Sequence, residues 1–513
     1  MKNKLILLLL FAAFTSCSYL DVIPDKSGNA TINTMDQLYQ LMGNSGFYND
    51  FNYLWNENYL FSDDVEISPY VYSKTGKTNA YLANVADRIF LTYNPSMLET
   101  TWSEVYRNMF TFNVVLDYLD KVEQTTEKMR NQVLGEALFN RAYFHFFGLV
   151  NYCGYDLSSQ GIGYRDNTLS APEGLPDRMT SGYTASRIRQ DLSDAEAALA
   201  AAGRTEFDLQ KNFRVTLPSL YSFQARFELY LGNYDKALEA SLKALEGHSA
   251  LHNIITDPMY CKSVIKTVDL VDEMGESTGE IIEVKDFKTD LNSQFGGDAV
   301  FLDYEELYLP QFSIDKFGGS IHPMSESLYN LYDREHDGRW LAYFDNNYIV
   351  GLGSFASDGF DPEEQSRLKE WERHVYLRFN LYGNRVLITA PTTAEMYLIA
   401  AECYARKGDV GNAKKMLITL RNTRFTDSSS AADIEGTIQD VLDERRRELG
   451  AIIRFYDLKR LNFGENAGIT YAKEMFSDPN DFNSMITEKP FRADDVDLYN
   501  FPIPETERLL LGW

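Results

Sequence analysis

The chain has 513 residues, with 49 basic and 75 acidic side chains, a formal charge of −26 and 44% apolar residues. That acidity argues against nucleic acid and anionic lipid as partners, because both would be repelled. The apolar share is that of a packed globular protein, and the length alone allows several domains.

Lys2 and Lys4 form a basic start, and Leu5 to Phe14 is an apolar run of signal-peptide length, too short to span a bilayer. Thr15-Ser16-Cys17 then has the small residues and cysteine of a bacterial lipobox. Residues 1–16 are therefore the expected signal peptide and Cys17 the lipidated N-terminus, which would hold a soluble body to a membrane through lipid alone. Removing residues 1–16, which carry two lysines and no acid, leaves 47 basic against 75 acidic side chains, a formal charge of −28. Residues 17–34, with Pro24 and Gly28, read as anchor and tether, and 35–513 as the folded body.

Asp36 to Met42 predicts a first short helix. From Gly43 to Pro95 the helical period is lost and rings crowd among Asn, Asp and Ser. A pyranose packs its C–H face on a ring and bonds its hydroxyls to planar polar groups, so this stretch is a candidate sugar surface. Helices are predicted over Trp102–Val122, Arg130–Val150 and Thr180–Leu199, with a Gly-rich loop over Asn151–Pro176. Tyr221 to Leu245 then aligns without a gap with Tyr397 to Arg421, at an offset of 176. Ala225 matches Ala401, Gly232 matches Gly408 and Ala237 matches Ala413. Small residues where helices touch and a glycine between them describe a helical hairpin of tetratricopeptide (TPR) type. Glu136 to Leu149 is a third half-match. Such repeats cannot bury their faces alone, so they should pack together and not divide into separate domains.

Ile254 to Asn292 predicts short strand-like runs, and glycines punctuate Ser293 to Asp361, where Phe301, Tyr304, Tyr308, Phe312 and Phe317 recur. Pro391-Thr392-Thr393-Ala394-Glu395 has the capping-box pattern of a helix start. Met396 to Ala405 is apolar nearly all round with Glu402 its one charge, and Gly408-Asp409 ends that helix and caps the next. Ile438 to Leu461 predicts one long helix, on which Asp443 and Arg447 stand at i,i+4 in a charge run expected to be a salt-bridged face. Two prolines force an extended Phe501-Pro502-Ile503-Pro504, and Glu505-Thr506-Glu507 suits a last helical turn.

Other chemistry finds little support. Gly76-Lys77-Thr78 lacks the first glycine of a phosphate loop, Val71 standing there. His248 and His252 lack a third metal ligand, and no nucleophile elbow occurs. No metal or cofactor is expected. Cys403 reads as a small core residue, and spacing does not decide whether Cys153 and Cys261 pair.

These features together resemble the SusD/RagB outer-membrane lipoproteins. The resemblance rests on Cys17 followed by Tyr19-Leu20-Asp21 and Pro24, on Trp102 with Tyr106 and Asn113, and on Gly135-Glu136-Ala137 with Arg141-Ala142-Tyr143. It rests further on Glu395 to Asp409 followed by Asp443 to Leu449 and Phe455-Tyr456-Asp457-Leu458-Lys459-Arg460, and on the Phe501-Pro502-Ile503-Pro504 ending. It implies a mostly α fold in one globular body. A TPR-like scaffold would occupy about 100–250 and 391–463, with ligand-face loops about 43–95 and 254–390. It implies a lipid-anchored place on the outer membrane facing the exterior, and a SusC-like TonB-dependent transporter as partner. The expected function is capture and delivery of oligosaccharides without catalysis. A RagB-like peptide-capturing protein and a lipoprotein glycoside hydrolase are the alternatives. The rings expected to touch ligand are Trp55, Tyr70, Tyr72, Tyr81, Tyr304 and Tyr308.

Overall fold

The computed structural model describes residues 32–43, 61–66, 95–123, 125–169, 177–208, 211, 213–256, 262–271, 277–288, 307, 325–339, 344–345, 378–379, 391–476 and 486–512. The fold is mostly helical. Its long elements are α1 Met35–Leu41, α2 Pro95–Tyr118, α3 Glu127–Tyr152, α4 Ser181–Ala201, α5 Leu217–Tyr230, α6 Tyr234–Gly247, α7 Thr393–Arg406, α8 Val410–Arg421 and α9 Ile438–Glu465. Among the described residues, three antiparallel two-stranded ladders accompany them: β1 Lys262–Val271 with β2 Ser277–Lys288, β3 Phe344–Asp345 with β4 Arg378–Phe379, and β5 Tyr471–Phe476 with β6 Ile486–Phe491. The runs expected between Ile254 and Asn292 are thus one long hairpin, with a register shift between Asp269 and Val271. Among the described residues no helix is long and apolar enough to cross a membrane.

Threonine opens most of the long helices. Thr126, Thr180, Thr216, Thr392 and Thr437 each accept a backbone N–H of the first turn, satisfying a donor that the helix cannot. α3 lies at the centre, and every residue from Gly135 to Tyr152 is buried. A helix buried all round needs neighbours on each side, and α2 and α4 pack along it. Phe139, Tyr143 and Phe146 meet Phe223 of α5.

The repeat offset of 176 holds throughout. Thr216 and Thr392 cap the first helices, and Asn233 and Asp409 stand at the second N-caps. Gly232 and Gly408 both take the left-handed conformation, with φ of 73° and 77°, that turns each hairpin. α5 with α6 and α7 with α8 are the two hairpins, and α6 packs on α7. Ala237, Ala240 and Ala244 meet Met396, Ile399 and Cys403 in one buried cluster. The half-match in α3 pairs with α4.

One expected detail differs. Thr392 accepts the Glu395 N–H, but the Glu395 carboxylate does not close the capping box. It accepts from Arg226 of α5 at 2.5–3.2 Å, joining the two repeats through a buried ion pair.

Candidate functional site

Cys17, Trp55, Tyr70, Tyr72, Tyr81, Tyr304 and Tyr308 all lie outside the described residues, as does Gly76-Lys77-Thr78. The structure instead shows how the scaffold grips the chain beside them. Phe61 to Glu66 lies between Trp55 and Tyr70 and is held at both ends. Tyr471 donates its hydroxyl proton to Phe61 O, and the Lys473 ammonium donates to Val65 O. Arg454 donates twice to Asp63 at 2.7 and 2.8 Å, and Arg446 donates to Asp64 at 2.7 Å. Phe61 is fully buried, edge-on to Phe455, so this ring of the aromatic loop belongs to the core. Leu307, between Tyr304 and Tyr308, is gripped likewise. Its N–H donates to Pro391 O, and its carbonyl accepts from Ser219 Oγ at 2.6 Å. Both expected ligand loops are therefore tied to α5, α9 and the start of α7.

The charge run of α9 lies inside this scaffold. Arg447 does not reach Asp443. It donates to Glu444 at 2.6 Å and to Leu331 O, while Asp443 accepts from Gln439. Glu444 also receives Arg339 and Arg421, and Glu448 receives Arg424 and Arg339. Burial works against these charges, but the guanidiniums outweigh it and hold both carboxyls below the usual range. Glu402, the one charge expected within a buried helix, is gripped by Arg460 at 2.6 and 2.8 Å and by Arg406. Against its burial, Arg460, Arg445 and Arg406 lower its pKa. Carboxylates locked this way fix helix positions and cannot lend protons at neutral pH.

A second network holds the segment 161–165. Tyr106 donates to Gly163 O and Asn113 to Arg165 O. Arg141 forks onto Asp191 with two 2.7 Å bonds, and Tyr164 donates to the same carboxylate. His145 stacks on Tyr164, their centroids 3.7 Å apart. Its Nε2 accepts from the Arg165 N–H, so its Nδ1 carries the proton donated to Arg141 O. Burial, helped by the charges of Arg141 and Arg187, pushes its pKa down to about 3. Of the other histidines noted in the sequence, His248 lays its ring against Phe207 at 4.1 Å, and His252 is buried. Cys153 and Cys403 are buried free thiols, so Cys153 is not paired.

At the C-terminal end of α3 lies a cleft of about 660 Å³, lined by the loop from Gly154 to Gln160, the end of α9 and the segment 496–508. Its floor is built by Lys459. The buried ammonium is surrounded by Val150 O, Cys153 O, Tyr499 O and Asn500 Oδ1 at 2.5–3.0 Å. A cation there meets the carbonyls that end α3, where the helix dipole is negative. Phe501 donates its N–H to Asn151 O and sets its ring edge-on to Tyr152, which meets Trp102 in the same way. The extended Phe501–Pro504 motif thus forms one wall. The sequence marked its conformation and the Gly-rich loop over Asn151–Pro176, but carried no sign that the two face each other.

A family profile described as starch-binding associating with outer membrane matches residues 18–229, and one described as SusD family matches residues 392–510. A SusD-like protein of Formosa agariphila is 23% identical over 403 residues, covering 70% of this chain and 69% of that protein. A SusD superfamily protein from Bacteroides thetaiotaomicron superposes with a TM-score of 0.60 at 18% identity, over 92% of this chain and 97% of that one. A SusD-like carbohydrate-binding protein from Bacteroides vulgatus gives 0.55 at 15%, over 94% and 97%. A laminarin-binding SusD-like protein gives 0.56 at 17%, over 93% and 98%. At these identities the superpositions establish a shared fold.

Proposed function

The chain belongs to the SusD/RagB family, and from that premise we propose that it is a surface lipoprotein that captures oligosaccharides and delivers them to a SusC-like TonB-dependent transporter. Cys17 is its lipid anchor in this reading, and the outer face of the outer membrane is its place. The observation that carries the proposal is the fold shared over 93% or more of the chain with two proteins named for binding carbohydrate, one of them laminarin. The scaffold supports it as well. Its buried carboxylates are consumed by arginines, which suits a rigid binder better than a hydrolase. The ligand rings of the proposal remain Trp55, Tyr70, Tyr72, Tyr81, Tyr304 and Tyr308, presented by loops whose anchors are Phe61–Glu66 and Leu307.

A glycan array with the chain starting at Ser18 tests this, with a peptide library beside it. Glycan hits without turnover of the labelled oligosaccharide are expected. Peptide hits alone would favour the peptide-capturing alternative, and turnover would favour the hydrolase. Cys17→Ala should leave the outer-membrane fraction, and the barrel should co-purify with wild type.

A further inference from the structure

The 660 Å³ cleft is far larger than a packing defect and falls in the range of about 300–1,000 Å³ typical of small-ligand sites. Its floor is rigid, because Lys459 ties the end of α3 to the chain at Tyr499 and Asn500. A preformed floor spares a ligand the cost of ordering it.

Tyr155 is the positioned ring of this cleft. It is half-buried and sets its edge on Tyr230, the centroids 5.4 Å apart. Its back rests on the last turn of α9 at Gly464. A Cβ at that position would stand 2.7 Å from Tyr155 Cε1 and Oη and 2.8 Å from Cζ. Only a glycine lets the ring lie so close to the helix. Phe463, half-buried on the same helix, adds a second ring, its edge set on Tyr499. Around these rings stand planar polar groups, Asp156, Gln160, Arg178 and Asp497.

The charges of the lining balance. Arg178, Lys459 and Arg508 oppose Asp156, Asp497 and Glu505, in a chain whose formal charge is −26. The Lys459 ammonium is already turned to the floor. Such a wall selects neither anion nor cation, whereas rings beside planar hydrogen-bonding groups suit an uncharged polyhydroxylated chain. Val496, well exposed, is one of the lining residues, and the exposed Leu157, Met179 and Leu509 are each the sequence neighbour of one.

We propose that this cleft is a second carbohydrate site, separate from the ligand loops, which takes a short segment of a neutral glycan with a pyranose face on Tyr155. The proposal rests on the glycan-binding reading above and adds a place for it. Two sites on one rigid body would hold a polysaccharide at two points, which raises avidity without any new contact.

The test uses calorimetric titration of the chain starting at Ser18 with laminarihexaose and with maltoheptaose. Tyr155→Ala removes the ring, and Gly464→Ala displaces it while changing none of the lining residues. Alanine is a better helix residue than glycine, so Gly464→Ala should keep its melting temperature. Both variants should lose one binding event, or weaken it at least tenfold, for a probe that wild type binds, and Tyr155→Phe should keep it. A variant with alanine at all six loop rings should retain the cleft's event. If wild type binds a probe and both Tyr155→Ala and Gly464→Ala titrate identically to it, the cleft assignment is overturned while the glycan reading stands. If wild type binds neither probe nor any arrayed glycan, the glycan reading falls and the cleft with it. If the two variants leave the titration unchanged but release a co-purifying protein, the cleft is a protein interface and the carbohydrate assignment is wrong.

Discussion

Arg226→Met should be among the most damaging single changes in the scaffold. Arg226 and Glu395 form the buried ion pair between the two repeats, with side chains 6% and 0% exposed. Three bonds of 2.5–3.2 Å join them. Removing the guanidinium leaves a carboxylate without water or counter-charge between α5 and α7. Breaking a buried pair from one side typically costs about 3–5 kcal/mol. Glu395→Met should cost a similar amount by stranding the guanidinium. The double variant removes both charges and fills the space with apolar chains, so it should return to within about 1–2 kcal/mol of wild type. The thermodynamic cycle would then close with a coupling of several kcal/mol instead of simple addition. Urea denaturation followed by circular dichroism measures each corner. If each single variant loses less than about 1 kcal/mol, or the double loses the sum of the two, the repeats do not depend on this pair and the reasoning fails.

Further expectations follow from other parts of the scaffold. Gly408→Val should lose about 1 kcal/mol or more, because Gly408 has φ of 77° and a Cβ there meets nothing within 4 Å. The penalty is therefore pure backbone strain, and an unchanged melting temperature would contradict it. Arg447→Ala should lower stability, since it removes one of three guanidiniums from Glu444 and the donor to Leu331 O, and should leave the glycan affinity of the folded protein unaltered. A selective loss of binding at normal stability would instead place the charge run in the site. His145 should resist protonation in the folded state until about pH 3, whereas the unfolded chain takes up that proton near pH 6.5. Its folded value is depressed, so the unfolded state binds more protons below pH 6.5. Stability should fall with pH from there, by up to about 1.4 kcal/mol per unit. Proton NMR that shows its ring titrating near pH 6.5 in the native protein would refute this. Alanine at each of Trp55, Tyr70, Tyr72, Tyr81, Tyr304 and Tyr308 should cost on the order of 1–3 kcal/mol in binding where the ring stacks on sugar, by analogy with bases stacking on rings. Calorimetry with melting curves checks this, and six wild-type affinities would rule it out.

The repeats were legible because local chemistry encodes them. Caps, small contact residues and the turn glycine recur at one offset, and each acts within a few residues of itself. Glu402 could be recognised as a lone charge in a buried helix, but its partner Arg460 is 58 residues away, and no local pattern connects them. The Asp443–Arg447 spacing suggested a pair, yet Glu444 wins Arg447 because it already sits at the focus of Arg339 and Arg421. The β5–β6 ladder escaped notice because Lys473 points inward, 2% exposed, to reach Val65 O, which breaks the alternation that marks a strand. The Tyr155 cleft was hidden for a similar reason. Gly464 looks like an ordinary helix-end glycine until a tyrosine from more than 300 positions earlier lies against it.

The two hairpins clasp each other although the chain leaves α6 at Gly247 and returns only at Thr393. Ser249 O accepts from Tyr397 and Ile254 N–H donates to Thr423 O, so the outgoing strand is pinned beside the incoming helices. The stretch between starts and ends side by side, and among the described residues Leu307, Leu331 and Arg339 return to the same scaffold. The entropy of closing such a loop grows only with the logarithm of its length, about 0.6 kcal/mol for each doubling. The clasp therefore tolerates wide variation in the length of the segments between its fixed points. A lineage could lengthen or trim the segments between these fixed points without renegotiating the contacts that keep the body folded, but not the points themselves, since Arg339 sits among the buried carboxylates of α9.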